Sequence, residues 1–258
     1  MSKIHPTAII SPNAKLGDNI EVGPFAIIHD DVEIGNDCKI GPHAVIYDGA
    51  RIGNRVKIFQ GASISNLPQD LKFGNEQTFL YIGDDTVVRE FVTLHRGTTA
   101  TGKTSIGSKC LLMAYTHVAH DCNVGDQVII ANAVQIAGHV EIENTVIIGG
   151  LSAVHQFGKI GQHSMVGGGS MAISDIPPYC KTSGYPARFM GLNIVGLRRR
   201  NFSDDDINAI KDAYRIFYQS GLIFSKALEE VKEKYPDHPL VKNIIQFIEK
   251  SDRGVIRR

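Results

Sequence analysis

The stretch KLGDNIEVGPFAIIHDDVEIGNDCKI, residues 15–40, carries an aliphatic side chain at every sixth position, namely Leu16, Val22, Ile28, Ile34 and Ile40. The same frame reaches back to Ile4 and forward to Val166, and 25 repeat positions along it hold Ile, Leu or Val. A fixed short period of this kind dictates the architecture of a chain, so it is read before any local propensity.

Each six-residue unit combines a short strand with a turn. Glycine follows the aliphatic residue in eleven of the 25 units. Because glycine tolerates backbone angles that other residues disfavour, we expect it to form a tight corner. Four residues after the aliphatic position the side chain is usually small or β-branched, as at Ala26 and Val128. Two inward positions per unit predict a parallel β-helix whose units bury one another, with three units in each 18-residue coil.

The repeat is interrupted at about residues 65–80 and 98–105, so we expect two loops that protrude from a β-helix spanning residues 1–190. Loops on a rigid scaffold often carry binding groups. From Ser203 the period becomes helical, because an N-cap residue is followed by three aspartates that favour a helix start. That helix should end near Gly221, and two further helical patterns lie at 226–234 and 239–250. Together they predict an α-helical domain, residues 191–258, that covers the last coil.

Composition excludes several function classes. Lysine plus arginine equals aspartate plus glutamate at 27 each, so no overall field favours nucleic acid or membrane surfaces. No apolar run approaches the roughly 20 residues of a membrane span, and the N-terminus lacks a signal-peptide pattern, so we expect a cytoplasmic protein. Cys38, Cys110 and Cys122 fall on the small inward position and Cys180 lies outside the repeat, which favours core filling over metal or redox chemistry.

Histidines mark the candidate site. Their hexads begin at Val118, Ile136 and Val154, one coil apart, which predicts that His120, His139 and His155 form a column spanning roughly 10 Å on one face. Histidine is the usual general base near neutral pH, and the adjacent Asp121 can fix its tautomer. A backbone amide such as that of Gly138 can stabilise an oxyanion. The chain has no GxSxG or reactive-cysteine motif, so direct attack by a substrate hydroxyl is favoured over a covalent intermediate.

Several segments extend this interpretation. PQDLKFGNEQT in the first loop, TLHRGT, MAYTHVAHDCNVG, QIAGHV, AVHQFG, the run from MVGGGS to IPPY, and GLNIVGLRRRNF follow one another along the chain. In this order they resemble the acyl-ACP:UDP-N-acetylglucosamine O-acyltransferases of lipid A biosynthesis over nearly the whole length. The resemblance implies an all-β left-handed parallel β-helix with a small helical C-terminal domain. It also implies a homotrimer that transfers a 3-hydroxyacyl chain from acyl carrier protein to the sugar 3-hydroxyl, without a cofactor.

The resemblance also assigns roles to residues. It implies that His120 is the general base, that Asp121 orients it and that Gly138 donates to the oxyanion. Gly168 stands where the family gauges acyl-chain length. Substrate contacts are implied for Asp70, Lys72, His95, His117, His139, His155 and Gln156, and contacts to the nucleotide from the adjacent subunit for Asn193, Arg199 and Arg200. The basic residues Arg198–Arg200, Lys181 and Arg188 either meet the acidic carrier protein or form a solvated patch.

Alternatives remain at this point. The N-acyltransferase of the same pathway carries an added N-terminal domain, whereas this repeat begins at Ile4, and a 3-amino sugar nucleotide acceptor would make the product an amide. An acetyltransferase that uses coenzyme A is disfavoured by the PQDLK loop. A trimeric zinc hydratase of the same fold typically has an HxxxxH pair, which is absent around His117 and His120, so no metal is expected. A non-catalytic β-helix would not need stacked histidines.

Overall fold

The computed structural model describes residues 1–258 and contains 28 strands and four helices, most of the strands being two residues long. The first fourteen strands are β1 Lys3–Ile4, β2 Ile9–Ile10, β3 Lys15–Leu16, β4 Glu21–Val22, β5 Ile27–Ile28, β6 Glu33–Ile34, β7 Lys39–Ile40, β8 Val45–Ile46, β9 Ala50–Ile52, β10 Lys57–Ile58, β11 Ser63–Asn66, β12 Phe79–Ile82, β13 Val87–Val88 and β14 Thr93–His95. The others are β15 Lys103–Ile106, β16 Leu111–Leu112, β17 His117–Val118, β18 Asn123–Val124, β19 Ile129–Ile130, β20 Gln135–Ile136, β21 Glu141–Ile142, β22 Ile147–Ile148, β23 Ala153–Val154, β24 Lys159–Ile160, β25 Met165–Val166, β26 Met171–Ala172, β27 Cys180–Ser183 and β28 Arg188–Leu192.

Three sheets form the sides of a β-helix, because every third strand pairs in parallel with the one a coil away; only β28, at the end of the first sheet, pairs antiparallel, with β27. The first sheet has eleven strands from β1 to β28, the second nine from β2 to β26, and the third eight from β3 to β24. Ile4 pairs with Val22 and Ile10 with Ile28, a spacing of 18 residues. The predicted hexapeptide β-helix is confirmed.

Aliphatic and small side chains fill the interior as the period predicts. Ile28, Ile46 and Ile64 of the second sheet are at most 1% exposed, and the small residues Ala26 and Ala44 are fully buried. Cys38, Cys110, Cys122 and Cys180 are all buried free thiols. Burial raises the pKa of the Cys122 thiol to about 12, so its position suits core packing rather than reactivity.

The recurrent glycine has a different cause from the one expected. None of the eleven repeat glycines has a positive φ, and the left-handed position of the turn is usually filled by other residues, such as Asn19, Asp37 and Asp85. A Cβ on Gly35 would lie 2.7 Å from the Gly53 carbonyl group one coil away. Close approach between stacked backbones, and not the corner angle, therefore requires glycine.

Strand pairing extends further into both predicted loops than the repeat suggested. Ile52 pairs with Ile82 and Ile82 with Ile106, so the two coils that carry loops are 30 and 24 residues long. Phe79 and Leu80, outside the aliphatic frame, pair with Lys103 and Thr104 and lengthen the third sheet. The segments without strand structure are residues 67–78, here called the first loop, and residues 96–102, the second loop.

Helices follow the β27–β28 hairpin. They are α1 Ile194–Arg199, α2 Asp204–Gln219, α3 Phe224–Lys234 and α4 Pro239–Glu249. The predicted start of α2 is confirmed, since the Ser203 side chain accepts a hydrogen bond from the Asp206 amide. The short helix α1 was not predicted. None of the four helices has the length and apolar character needed to cross a bilayer.

The helical segment packs on the end of the β-helix. The Tyr214 hydroxyl donates to the Pro178 carbonyl at 2.6 Å, and the Lys159 ammonium donates to the Lys250 carbonyl at 2.7 Å. Ile207, Ile210 and Phe217 of α2 belong to the same buried cluster as the interior of the coils. The last coil is therefore covered, which removes an open strand edge.

Candidate active site

His120 and Asp121 occupy the turn between β17 of the second sheet and β18 of the third. The His120 Nδ1 atom lies 2.8 Å from Asp121 Oδ2, and the His120 side chain is 12% exposed whereas that of Asp121 is fully buried. When Nδ1–H donates to the carboxylate, the lone pair lies on Nε2. The pair therefore presents a proton acceptor at the edge of the β-helix.

Asp121 is held from the second loop as well as by His120. The Thr98 amide donates to Oδ1 at 3.0 Å, the Thr98 hydroxyl to Oδ2 at 2.7 Å, and the Thr101 hydroxyl to Oδ1 at 2.5 Å. Burial alone would raise the pKa of the Asp121 carboxyl, but the hydrogen bonds from Thr101, Thr98 and His120 outweigh burial and lower the pKa to about 2. Asp121 is thus ionised at any ordinary pH.

Gly138 lies directly beneath the His120 ring, one coil along the axis. A Cβ at Gly138 would approach His120 Cε1 to 2.7 Å and Nε2 to 2.9 Å, so only glycine leaves the ring in place. The Gly138 amide donates to no acceptor in the chain. A free N–H group thus lies close to the nitrogen that would accept a proton.

The predicted single column of three histidines is wrong in its register. Val118 pairs with Ile136, and Ile136 pairs with Val154. This register places Gly138 and Gln156 in one column with His120. It places His139 and Phe157 in a second column with Asp121. His139 packs perpendicular to His120 with ring centroids 5.1 Å apart, and it stacks on Phe157 at 4.5 Å. His155 lies one residue before Gln156 and therefore outside both columns, and its Nδ1 atom contacts the Gln156 carbonyl oxygen.

A second histidine pair, His95 and His117, extends the site toward the N-terminus. Their rings meet edge to face at 4.9 Å, and His117 Nδ1 lies 2.7 Å from the Thr93 hydroxyl. Burial, and then the neighbouring His117 and His120, lower the pKa of His95 to about 4. Burial also lowers the pKa of His117. Both rings are therefore neutral near pH 7.

The other predicted contacts lie further out. Asp70 and Lys72 belong to the first loop, where Asp70 Oδ1 accepts the Lys72 amide at 3.0 Å. Asn193 caps α1: its Oδ1 accepts the Gly196 amide, and its Nδ2 donates to the His163 carbonyl. Arg199 is an exposed residue at the end of α1.

Three predicted parts of the site lie on three different edges of one chain. His120 is on the edge between the second and third sheets, and Gly168 is on the edge between the first and second. Asn193 contacts His163, which lies in the turn from the third sheet to the first. The Arg200 guanidinium donates to the Gly196 carbonyl and remains near that third edge. The chain does not bring these groups together by itself.

Thr98, Thr101 and Thr93 were not identified from the sequence. The break in the repeat at Thr98 was the available signal, because a loop that returns to the frame must pass over a neighbouring turn. Which turn it contacts depends on the path of the loop and not on the six-residue period.

One group of side chains has the composition of a metal site. His120, Asp121 and His139 place potential ligand atoms within 4.8 Å of one another. Both Asp121 oxygens already accept hydrogen bonds from Thr98 and Thr101, and His120 Nδ1 faces the carboxylate rather than an open centre. A metal would need these donors to be displaced, so the arrangement fits a hydrogen-bonded base better than a ligand set.

Fold and site together define a hexapeptide-repeat transferase. Residues 31–66 and 103–138 match the family model of the bacterial transferase hexapeptide, and residues 175–256 match that of domain 2 of UDP-N-acetylglucosamine O-acyltransferase. The chain is 50% and 53% identical to the acyl-[acyl-carrier-protein]–UDP-N-acetylglucosamine O-acyltransferases of Burkholderia lata and Burkholderia mallei, with all of both chains covered. It belongs to this acyltransferase family.

Solved structures agree with this assignment. The UDP-N-acetylglucosamine acyltransferase of Bacteroides fragilis superposes with a TM-score of 0.97 at 45% identity, covering 98% of this chain and all of the other. The Francisella novicida enzyme superposes with a TM-score of 0.96 at 34% identity, covering 99% and 94%. The fold, including the helical C-terminal segment, is therefore that of the family.

Proposed function

We propose that this enzyme transfers a 3-hydroxyacyl chain from acyl carrier protein to the 3-hydroxyl of UDP-N-acetylglucosamine, the first step of lipid A biosynthesis. The relatives at 50% and 53% identity are named for this donor and this acceptor. The observation that carries the proposal is the His120–Asp121 pair, which leaves a basic nitrogen beside the free amide of Gly138. We assign the reaction to the cytoplasm, where acyl carrier protein would supply the donor.

In the proposed mechanism, His120 Nε2 removes the proton of the sugar 3-hydroxyl as its oxygen attacks the thioester carbonyl carbon. Asp121 keeps the ring in the reactive tautomer and stabilises the imidazolium. The Gly138 amide donates to the carbonyl oxygen as negative charge develops there. Collapse of the tetrahedral intermediate breaks the carbon–sulfur bond, and the imidazolium returns its proton to the departing thiolate. No covalent enzyme intermediate and no cofactor are required.

We propose that the site is completed by assembly into a homotrimer. The edges that carry His120, Gly168 and Asn193 diverge within one chain, so a substrate touching all three needs neighbouring copies. From β13 to β25 the first sheet supports such contacts, because this part presents an outward apolar ladder of Val87, Leu111, Ile129, Ile147 and Met165. The third sheet presents polar residues such as Lys15 and Glu33 and faces solvent.

Within the trimer we assign substrate contacts by position. Asp70, Lys72, His95, His117, His139, His155 and Gln156 lie on or near the edge of His120 and would line the sugar and acyl groups. Asn193, Arg199 and Arg200 of the neighbouring copy would hold the nucleotide, since arginine suits phosphate geometry. Gly168, which carries no side chain, would leave room for the acyl chain along its edge of the β-helix.

A substrate panel tests the reaction. The protein would be incubated with UDP-N-acetylglucosamine, or its 3-amino analogue, and 3-hydroxyacyl carrier proteins of increasing chain length, and products would be identified by mass spectrometry. We expect an ester on UDP-N-acetylglucosamine and a preferred chain length. Exclusive amide formation on the amino sugar would replace the proposed acceptor, and no transfer with any donor would reject the proposal.

A further inference from the structure

The second loop contacts the candidate base pair from outside the repeat. Three of the four hydrogen bonds to the Asp121 carboxylate come from this loop, through the Thr98 amide, the Thr98 hydroxyl and the Thr101 hydroxyl. The fourth comes from His120. The turn that carries Asp121 supplies none of the other donors, so the environment of this carboxylate depends on an insertion in the repeat.

A carboxylate in this position needs such donors. The Asp121 side chain is fully buried, and an ionised group in a buried position is costly unless its oxygens are hydrogen-bonded. The charged or titratable groups that face it are His120 at 2.8 Å and His139 at 3.7 Å. Thr98 and Thr101 contribute donors without charge, and each oxygen accepts one threonine hydroxyl.

The loop is itself anchored, which fixes where its hydroxyls point. The Thr78 hydroxyl at the end of the first loop donates to the Gly97 carbonyl at 2.6 Å, and the Gly102 amide donates to the Thr98 carbonyl at 2.7 Å. A Cβ at Gly97 would collide with the backbone of Lys103. Tight contacts on both sides therefore hold the loop over Asp121.

We propose that Thr98 and Thr101 are positioning residues for acyl transfer, which hold Asp121 ionised and oriented so that His120 stays in its reactive tautomer. The proposal rests on the proposed role of His120 as general base. It gives the second loop a role in the chemistry beyond contact with substrate. Neither threonine needs to touch the sugar or the acyl chain.

Loss of these hydroxyls has a distinct kinetic signature. With fewer donors, the effect of burial on the Asp121 carboxyl is less fully offset, so its pKa rises above the wild-type value of about 2. A protonated Asp121 no longer selects the Nδ1–H tautomer of His120. Because the carboxylate is also less firmly oriented toward Nδ1, kcat should fall at every pH and most at the acid end of its pH profile, while KM for both substrates stays close to the wild-type value.

The test compares Thr98→Val, Thr101→Val and the double variant with matched controls. Hydrogen bonds to a charged group justify an expected fall in kcat of about tenfold or more for each variant. Thr98→Ser and Thr101→Ser keep the hydroxyl and should restore most of kcat. Thr99→Val makes the same change at an exposed side chain of the same loop and should leave kcat and its pH profile unchanged.

An Asp121→Asn background separates this proposal from the proposed function. There, the threonine changes should have little further effect, because the group they hold is already neutral. If His120→Ala abolishes transfer and Asp121→Asn lowers kcat, but both valine variants keep the wild-type kcat and pH profile, the positioning role is wrong and the base assignment stands. If His120→Ala remains active, the base assignment fails first. A fall in kcat that persists in the serine variants would also contradict the positioning role.

Discussion

His120 owes its expected reactivity to three close neighbours. Asp121 accepts from Nδ1, Gly138 leaves space under the ring, and His139 packs perpendicular to the ring. The sequence predicted the first two because the residues are adjacent in the chain or one coil apart. It misplaced His139 and His155, since a shift of one residue within a turn changes the column to which a side chain belongs.

Gly138→Ala tests the space beneath the ring. The new methyl group would lie within 2.9 Å of His120 Nε2, so the ring must move away from its position. Since a positioned general base contributes about 10²–10⁴-fold to rate, we expect kcat to fall by about 100-fold or more. Unchanged kcat with an intact fold, checked by circular dichroism, would contradict the placement of Gly138 under the base.

His95 predicts a pH dependence of stability. Its pKa is about 4 in the folded chain and 6.5 is its ordinary value, so the unfolded chain binds more protons between these values. The free energy of unfolding should therefore decrease as pH falls from about 6.5 toward 4. His95→Gln should show a smaller decrease between pH 7 and pH 5 in urea titrations, while His163 contributes equally to both proteins. An equal decrease in both would contradict the burial of a neutral His95.

At the scale of elements, the six-residue period predicted the strands and turns of the β-helix. It did not predict why glycine recurs, how long β12 and β15 are, or that α1 forms. The repeat glycines are required by the neighbouring coil, which a single hexad cannot show. Strands β12 and β15 extend beyond the aliphatic frame because their added residues pair with each other. Helix α1 was missed because it is only six residues long and has no apolar period.

Gly35→Ala tests the close approach of coils. The added Cβ would lie 2.7 Å from the Gly53 carbonyl group, and backbone atoms cannot move aside cheaply. By analogy with overpacked cores we expect a loss of about 1–3 kcal/mol in the free energy of unfolding. Gly74→Ala is the control, because its Cβ would meet only the Glu76 carboxylate at 3.4 Å. Equal stability of the two variants would show that the coils tolerate a side chain.

At the scale of the whole molecule, the three faces of the β-helix differ. From β13 to β25 the first sheet exposes an apolar ladder, whereas its earlier strands carry charged residues such as the pair Lys39 and Glu21. The third sheet exposes charged pairs such as Lys15 with Glu33. The sequence contains this difference at the outward strand position, which directly precedes each aliphatic repeat residue. A single chain does not reveal what covers the apolar face. The divergence of His120, Gly168 and Asn193 onto separate edges likewise appears only when the coils are stacked.

Ile129→Lys tests the proposed assembly. A charge in the middle of the apolar ladder should disrupt subunit contacts, so light scattering should show a mass well below three copies of the chain. Transfer activity should fall with it, because the site would lack the neighbouring edges. Asn123→Lys on the third sheet is the matched control and should remain a trimer. A monomeric wild type with full activity would contradict the shared site.

The central claim is that His120 is the general base of acyl transfer to UDP-N-acetylglucosamine. The most direct measurement is single-turnover formation of acylated sugar nucleotide by His120→Ala, with His29→Ala as control, since His29 stacks on Tyr47 and lies four coils before His120. We predict that His120→Ala retains its fold and oligomeric state but forms product at least about 100-fold more slowly, while His29→Ala matches the wild type. Product formation by folded His120→Ala at the wild-type rate would contradict the claim.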